Sequence, residues 1–117
     1  DPDGRPGRDA LEGRLMARDV KARGAVAAAQ GALADLLERT RSRSYFECLR
    51  VPADVSTTGV RDAWVRVNTE WESLRAAVPW TPDDAAALDE AGQILRDAFA
   101  VLSDPDLRLA YRRALDL

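Results

Sequence analysis

The chain has 117 residues, 46% apolar and 32% charged, with a formal net charge of −3. That is enough length for one domain with a buried core, and too even a charge for broad nucleic-acid binding, which needs a concentrated basic face. His is absent and Cys48 is the only Cys, which excludes a Cys/His zinc site, a Ser-His-Asp triad, a Cys-His dyad and an internal disulfide.

Acidic and basic residues number seven each over residues 1–40, and thirteen against ten over residues 41–117. No apolar run approaches the length of about 18 residues that spans a membrane, and no signal-peptide pattern opens the chain. The expected setting is therefore cytoplasmic, with no membrane partner. A start at Asp1 without Met reads as an excised piece of something longer, and sixteen Arg against one Lys in an Ala-rich chain points to a GC-rich, bacterial source.

Residues 1–8 (DPDGRPGR) mix Pro, Gly and charge without periodicity and read as a flexible lead-in. Over residues 9–39 Leu11, Leu15, Ala22, Val26, Ala29, Leu33 and Leu36 form one stripe, which predicts a long amphipathic helix. Gly13, Gly24 and Gly31 each cost about 1 kcal/mol relative to Ala in a helix interior, so this helix depends on packing against something. Two partners fit: its own domain, or a second copy in a coiled-coil homodimer, with the Ala-rich stripe favouring the first. Residues 40–44 (TRSRS) are polar and aperiodic and read as a connection.

From residue 44 to the end of the chain at 117 the pattern is a helical domain. Residues 44–49 suit one short helix, stopped at Val51-Pro52 because the residue before Pro avoids the α region. Ser56 is the best-placed cap for a helix over about 57–77, where Val60, Ala63, Trp64, Val67, Trp71 and Leu74 keep helical spacing. Thr81-Pro82-Asp83-Asp84 supplies a cap, a Pro at the first helical position and two carboxylates at the positive helix end. The helix that follows, over about 83–102, carries Leu88, Ala91, Leu95, Ala98 and Leu102 on one face and stops at Ser103-Asp104-Pro105. A last helix over about 106–115 carries Leu107, Tyr111 and Leu115. No stretch alternates with period two, so the expected class is all-α: an antiparallel helical hairpin with short flanking helices and an additional long N-terminal helix.

The motifs from Tyr45 to Arg113 resemble a J-domain, the co-chaperone module of the DnaJ family. Tyr45-Phe46-Glu47-Cys48-Leu49-Arg50-Val51-Pro52 is similar to the family's opening. Ser56, Val60 and Ala63-Trp64 match the start of its second helix. Ala98-Phe99-Ala100-Val101-Leu102-Ser103-Asp104-Pro105, followed by Arg108 and Tyr111, matches the ending of its third helix, and is the most specific part. The resemblance implies a J-domain fold over this stretch.

It also implies a His-Pro-Asp tripeptide in the loop after the second helix, needed to trigger ATP hydrolysis in a DnaK-type chaperone. Counting on from Ala63-Trp64, that tripeptide falls on Glu72-Ser73-Leu74, where none of the three residues matches. Without the Pro the second helix is expected to run on through Leu74. Residues 56–76 hold Arg61, Arg66 and Arg75 against Asp62, Glu70 and Glu72, so the family's basic face is neutralised here and steering toward the chaperone is weak. Arg50 stands where the family tends to have Gly, Gly59 where it often has a capping Glu, and Gly92 where it usually buries a Phe; Trp71 or Trp80 is the expected filler.

The expected function is a degenerate J-domain-like module for protein interaction or scaffolding, not an enzyme, with no cofactor, no metal and no nucleic-acid partner. The candidate partner-binding residues are Arg61, Asp62, Arg66 and Glu70 on the outer face of the second helix, and Glu72, Ser73, Leu74 and Trp80 around the altered loop region. A protein partner of unknown identity follows; a DnaK-type chaperone reached through an unorthodox contact is the alternative. Glu70 with Glu72, and Asp83 with Asp84, are more simply an exposed helix face and a helix N-terminus than catalytic or metal pairs. Trp64 and Cys48 are expected in the core.

Overall fold

The computed structural model describes residues 8–41 and 44–115, with side chains from residue 11 onward, and is all-α. Its helices are α1 (Arg8–Thr40), α2 (Tyr45–Leu49), α3 (Thr57–Ala77), α4 (Pro82–Leu102) and α5 (Pro105–Ala114), with no strand among the described residues. The flexible lead-in expected over residues 1–8 lies outside the described residues except for Arg8, which already belongs to α1. Residues 42 and 43 of the expected connection also lie outside them.

The starts of α2, α3, α4 and α5 are each set by a side-chain cap. Ser44 Oγ accepts from Glu47 N at 3.2 Å, Ser56 Oγ from Gly59 N at 3.0 Å and Thr81 Oγ1 from Asp84 N at 3.2 Å. Each of these satisfies one of the backbone donors a helix start leaves open. Asp104 Oδ1 accepts from both Asp106 N at 2.9 Å and Leu107 N at 3.2 Å. Asp104-Pro105 thus starts α5 as well as following α4, and α5 begins one residue earlier than its apolar spacing indicates.

Helices α3 and α4 form an antiparallel hairpin around residues 78–81, and every other helix packs against α4. The core joins Val60, Ala63 and Val67 of α3 to Leu88, Ala91, Leu95, Ala98 and Leu102 of α4. Phe46, Cys48 and Leu49 of α2 and Leu33 and Leu36 of α1 complete it. Trp64 is half-buried and stacks on Phe99, with ring centroids 4.9 Å apart and planes at 18°. Helix α5 is anchored through polar tips: Tyr111 Oη accepts from Tyr45 N at 2.9 Å, and its ring stacks on Tyr45 with centroids 5.0 Å apart. Arg108 Nη1 donates to Leu102 O at 2.8 Å and to Thr57 Oγ1 at 3.2 Å, tying the end of α4 to the start of α3.

The expected stripe on α1 is covered only at one end. Ala29, Leu33, Leu36 and Thr40 are buried against the body, whereas Leu11 (50% exposed), Leu15 (63%) and Val26 (40%) lie open. Docking on its own domain therefore accounts for only the last three turns. At about 1.5 Å per residue, the open part from Leu11 to Ala28 is an arm roughly 27 Å long. A Cβ at Gly13, Gly24 or Gly31 would meet nothing within 4 Å, so no close approach within the chain explains these glycines.

Two positions bear on stability. A Cβ at Gly92 would lie 2.7–2.9 Å from the Trp71 indole; Trp71 is therefore the side chain that fills the space at Gly92. We expect Gly92→Ala to destabilise the domain by about 1–3 kcal/mol through overpacking, against the stabilisation of about 1 kcal/mol that helix propensity alone gives, as read by chemical denaturation. Arg50, the C-cap of α2, has φ 55 in the left-handed region. Its ion pair to Glu70 is long, at 3.9 Å, and solvent-exposed. Relief of the left-handed strain should outweigh loss of that pair, so Arg50→Gly is expected to raise stability by about 1 kcal/mol in the same assay.

Candidate functional site: a cleft between α1 and α3

The C-terminal turns of α1 lie beside the C-terminal half of α3, leaving an open cleft of about 620 Å³ between them. One wall is Ala32, Asp35, Leu36 and Arg39 of α1; the other is Thr69, Glu70, Trp71, Ser73, Leu74 and Ala77 of α3, with Arg50 at the end of α2 closing one side. The apolar contribution comes from side chains that also pack on the core: Leu36 is buried, and Trp71 and Leu74 are half-buried. Trp71 is held in place by donating from Nε1 to Leu88 O at 2.7 Å.

The polar part is a cation-rich group around one carboxylate. Arg39 Nη2 lies 3.6 Å from Glu70 Oε2, and Arg50 Nη1 lies 3.9 Å from Glu70 Oε1. The Arg39 side chain is only 12% exposed, and its Nε is buried without a hydrogen-bond partner. Burial, followed by the nearby charge of Arg50, lowers Arg39 from its ordinary pKa, with Glu70 offsetting part of the shift. Asp35 also lines the cleft but makes no ion pair within 4.0 Å with a described residue.

The eight candidate partner-binding residues do not form one patch. Arg61 and Glu70 are nine residues apart, two and a half helical turns at about 3.6 residues per turn, and so lie on opposite sides of α3. Arg61, Asp62 and Arg66 are exposed, away from the cleft, and make no hydrogen bond or ion pair with a described residue. Glu70, Ser73 and Leu74 do come together in the cleft. Glu72 points elsewhere, its Oε1 accepting from Asn68 Nδ2 at 3.2 Å along the exposed helix surface. Trp80 is half-buried against the core and donates from Nε1 to Leu74 O at 3.0 Å, which ties the α3–α4 turn back onto α3.

Glu72-Ser73-Leu74 stands inside α3, which continues to Ala77. Sequence reasoning did not assign Asp35, Arg39, Arg50, Thr69 or Trp71 to a site. Arg50 was the one with a local signal, as a non-glycine residue at a helix end. The Cys48 thiol is buried, with Sγ 3.6 Å from Arg39 O. Among the described residues no three Cys, Asp or Glu side chains converge as metal ligands would, and no helix is long and apolar enough to cross a membrane. No protein-family model matches the chain, and no curated protein or solved structure matches it.

Removing the shared carboxylate leaves two guanidinium groups facing each other without an anion between them. Because Glu70 is 46% exposed, solvent screens much of that cost. Glu70→Gln should therefore lower stability by about 1 kcal/mol, with a smaller loss at high salt, in thermal melts at two ionic strengths.

Proposed function

We propose that this chain is a non-catalytic protein-interaction module that resembles a J-domain without the motif that stimulates a DnaK-type ATPase. The observation that carries the reading is the continuity of α3 from Thr57 to Ala77 through the place where the trigger loop is expected. Glu72-Ser73-Leu74 has no Pro to end the helix, and Leu74 packs partly into the core. A loop at this point would withdraw that side chain from its packing. The resemblance itself rests on the chain's own motifs.

Those motifs divide by role. Among those that follow the family pattern, Tyr45, Phe46 and Tyr111 join α2 to α5, and Arg108 ties α5 to the end of α4 and the start of α3. Among the residues that depart from it, Glu72, Ser73 and Leu74 stand where the family's trigger meets the chaperone. Between residues 56 and 76 three Arg stand against three acidic residues, which leaves little field to steer an acidic partner surface toward α3. The surfaces this reading makes available are the α1–α3 cleft and the α1 arm, where Leu11, Leu15, Met16, Val20 and Val26 are all at least 40% exposed. A second copy of the chain is among the partners the arm would suit.

Single-turnover ATP hydrolysis by a DnaK-type chaperone, with and without this domain, tests the reading. We expect the rate to be unchanged at any domain concentration. Stimulation would overturn the proposal in favour of a co-chaperone that reaches its ATPase through a different contact.

A further inference from the structure

Two arginines and two carboxylates, Asp35 and Glu70, line the α1–α3 cleft, and their pairing is loose. Arg39 and Arg50 each carry a fork of guanidinium N–H donors, and the carboxylate they share, Glu70, sits at 3.6 and 3.9 Å, beyond hydrogen-bond distance of either. Arg39 is mostly buried, so water makes up little of the deficit, and its Nε has no partner at all. Asp35 lines the same cleft and forms no ion pair with either arginine. Beside these donors stands an apolar wall formed by Leu36, Trp71 and Leu74.

We infer that the cleft binds an acidic amphipathic segment of a partner protein, one carboxylate satisfying Arg39 and Arg50 while a neighbouring large apolar side chain covers Trp71 and Leu74. Charge-assisted, fork-shaped contacts to a carboxylate are the strong hydrogen bonds available to arginine, and both arginines have donors to spare. The volume of about 620 Å³ falls within the range of ligand clefts. A segment rather than a small molecule is favoured because the α1 wall does not end with the cleft. Helix α1 runs on beyond the cleft, and its Val26 and Leu15 are exposed, so an amphipathic helix longer than the cleft finds further apolar surface along α1. This site deepens the interaction reading above and rests on it only for the premise that the chain works by binding.

The probe is a capped amphipathic peptide with Leu on one face and Glu on the other, set against its all-Gln counterpart, with titration followed by the backbone and Trp indole N–H signals. The Glu peptide is expected to shift the resonances of Leu36, Trp71, Leu74 and Ala77. Its affinity should fall about tenfold in Arg39→Gln and weaken with added salt, and the Gln peptide should bind at least about tenfold less tightly. Should Arg39→Gln fail to fold, Arg50→Gln, at an exposed position, carries the same comparison and should lower the affinity in the same direction. Equal binding of the two peptides, shifts confined to residues outside the cleft, or no binding would each overturn the inference. None of those results bears on ATPase stimulation, so this proposal and the functional reading fail separately.

Discussion

The fit of Trp71 into Gly92 fixes the register from which the rest of the molecule is built. Gly92 lies on the inward face of α4, and its missing Cβ uncovers the carbonyl of Leu88 one turn earlier. The indole occupies that gap and donates to the carbonyl at 2.7 Å, using a lone pair left over from the helix ladder. Arg96 then lies over the ring, 6.0 Å from its centroid. Other pairs across the hairpin obey the same alignment: the residue numbers of Trp64 with Phe99, Trp71 with Gly92 and Arg75 with Asp89 sum to 163, 163 and 164. Because every remaining helix packs on α4, an error of one turn here would misplace all of them. The same indole presents its outer side to the cleft, so the contact that sets the hairpin also shapes the candidate site.

What could be read from the chain beforehand was whatever is encoded locally. The limits of α3 and α4 follow from caps and apolar spacing within a few residues of each end, and Ser56 and Thr81 perform the capping their positions imply. The gap at Gly92 came from the resemblance, with Trp71 or Trp80 as its filler, and the packing of α3 on α4 decides for Trp71. The extent of α1 docking does not. Periodicity identifies which face of a helix is apolar but not how far the body beside it reaches, and here the body stops at about Ala29. The open arm is apolar on more than one side, with exposed Val20 half a revolution from Leu11.

The cleft was less legible for a related reason. Arg39 and Glu70 are 31 positions apart, Arg50 and Glu70 are 20 apart, and each residue alone resembles an ordinary solvated charge. Only the placement of α1 against α3 turns them into a group. Of the candidate residues on α3, Ser73 and Leu74 were named for the place of the expected tripeptide and Glu70 for the outer face of the helix, and the arrival of α1 brings the three together. Arg61, Asp62 and Arg66 were grouped with Glu70 as one outer face, but the helical turn separates Arg61 from it by half a revolution.

These facts meet in one stretch, Glu70 to Ala77. A loop there would expose its backbone and remove the α3 side of the groove in which α1 lies, leaving α1 its packing on α4 and α2. As helix, the stretch satisfies its own backbone, sends Trp71 and Leu74 toward the core, and offers Glu70 and Ser73 to the side where α1 arrives. The arginines of α1 and α2 then gather around the single carboxylate within reach, with more donors than it can serve. On the reading proposed above, the loss of the trigger chemistry and the surface that lines the cleft are one structural event, because a loop in place of Glu72-Ser73-Leu74 would remove this wall of the cleft, and with it the contact through which the last turns of α1 meet α3.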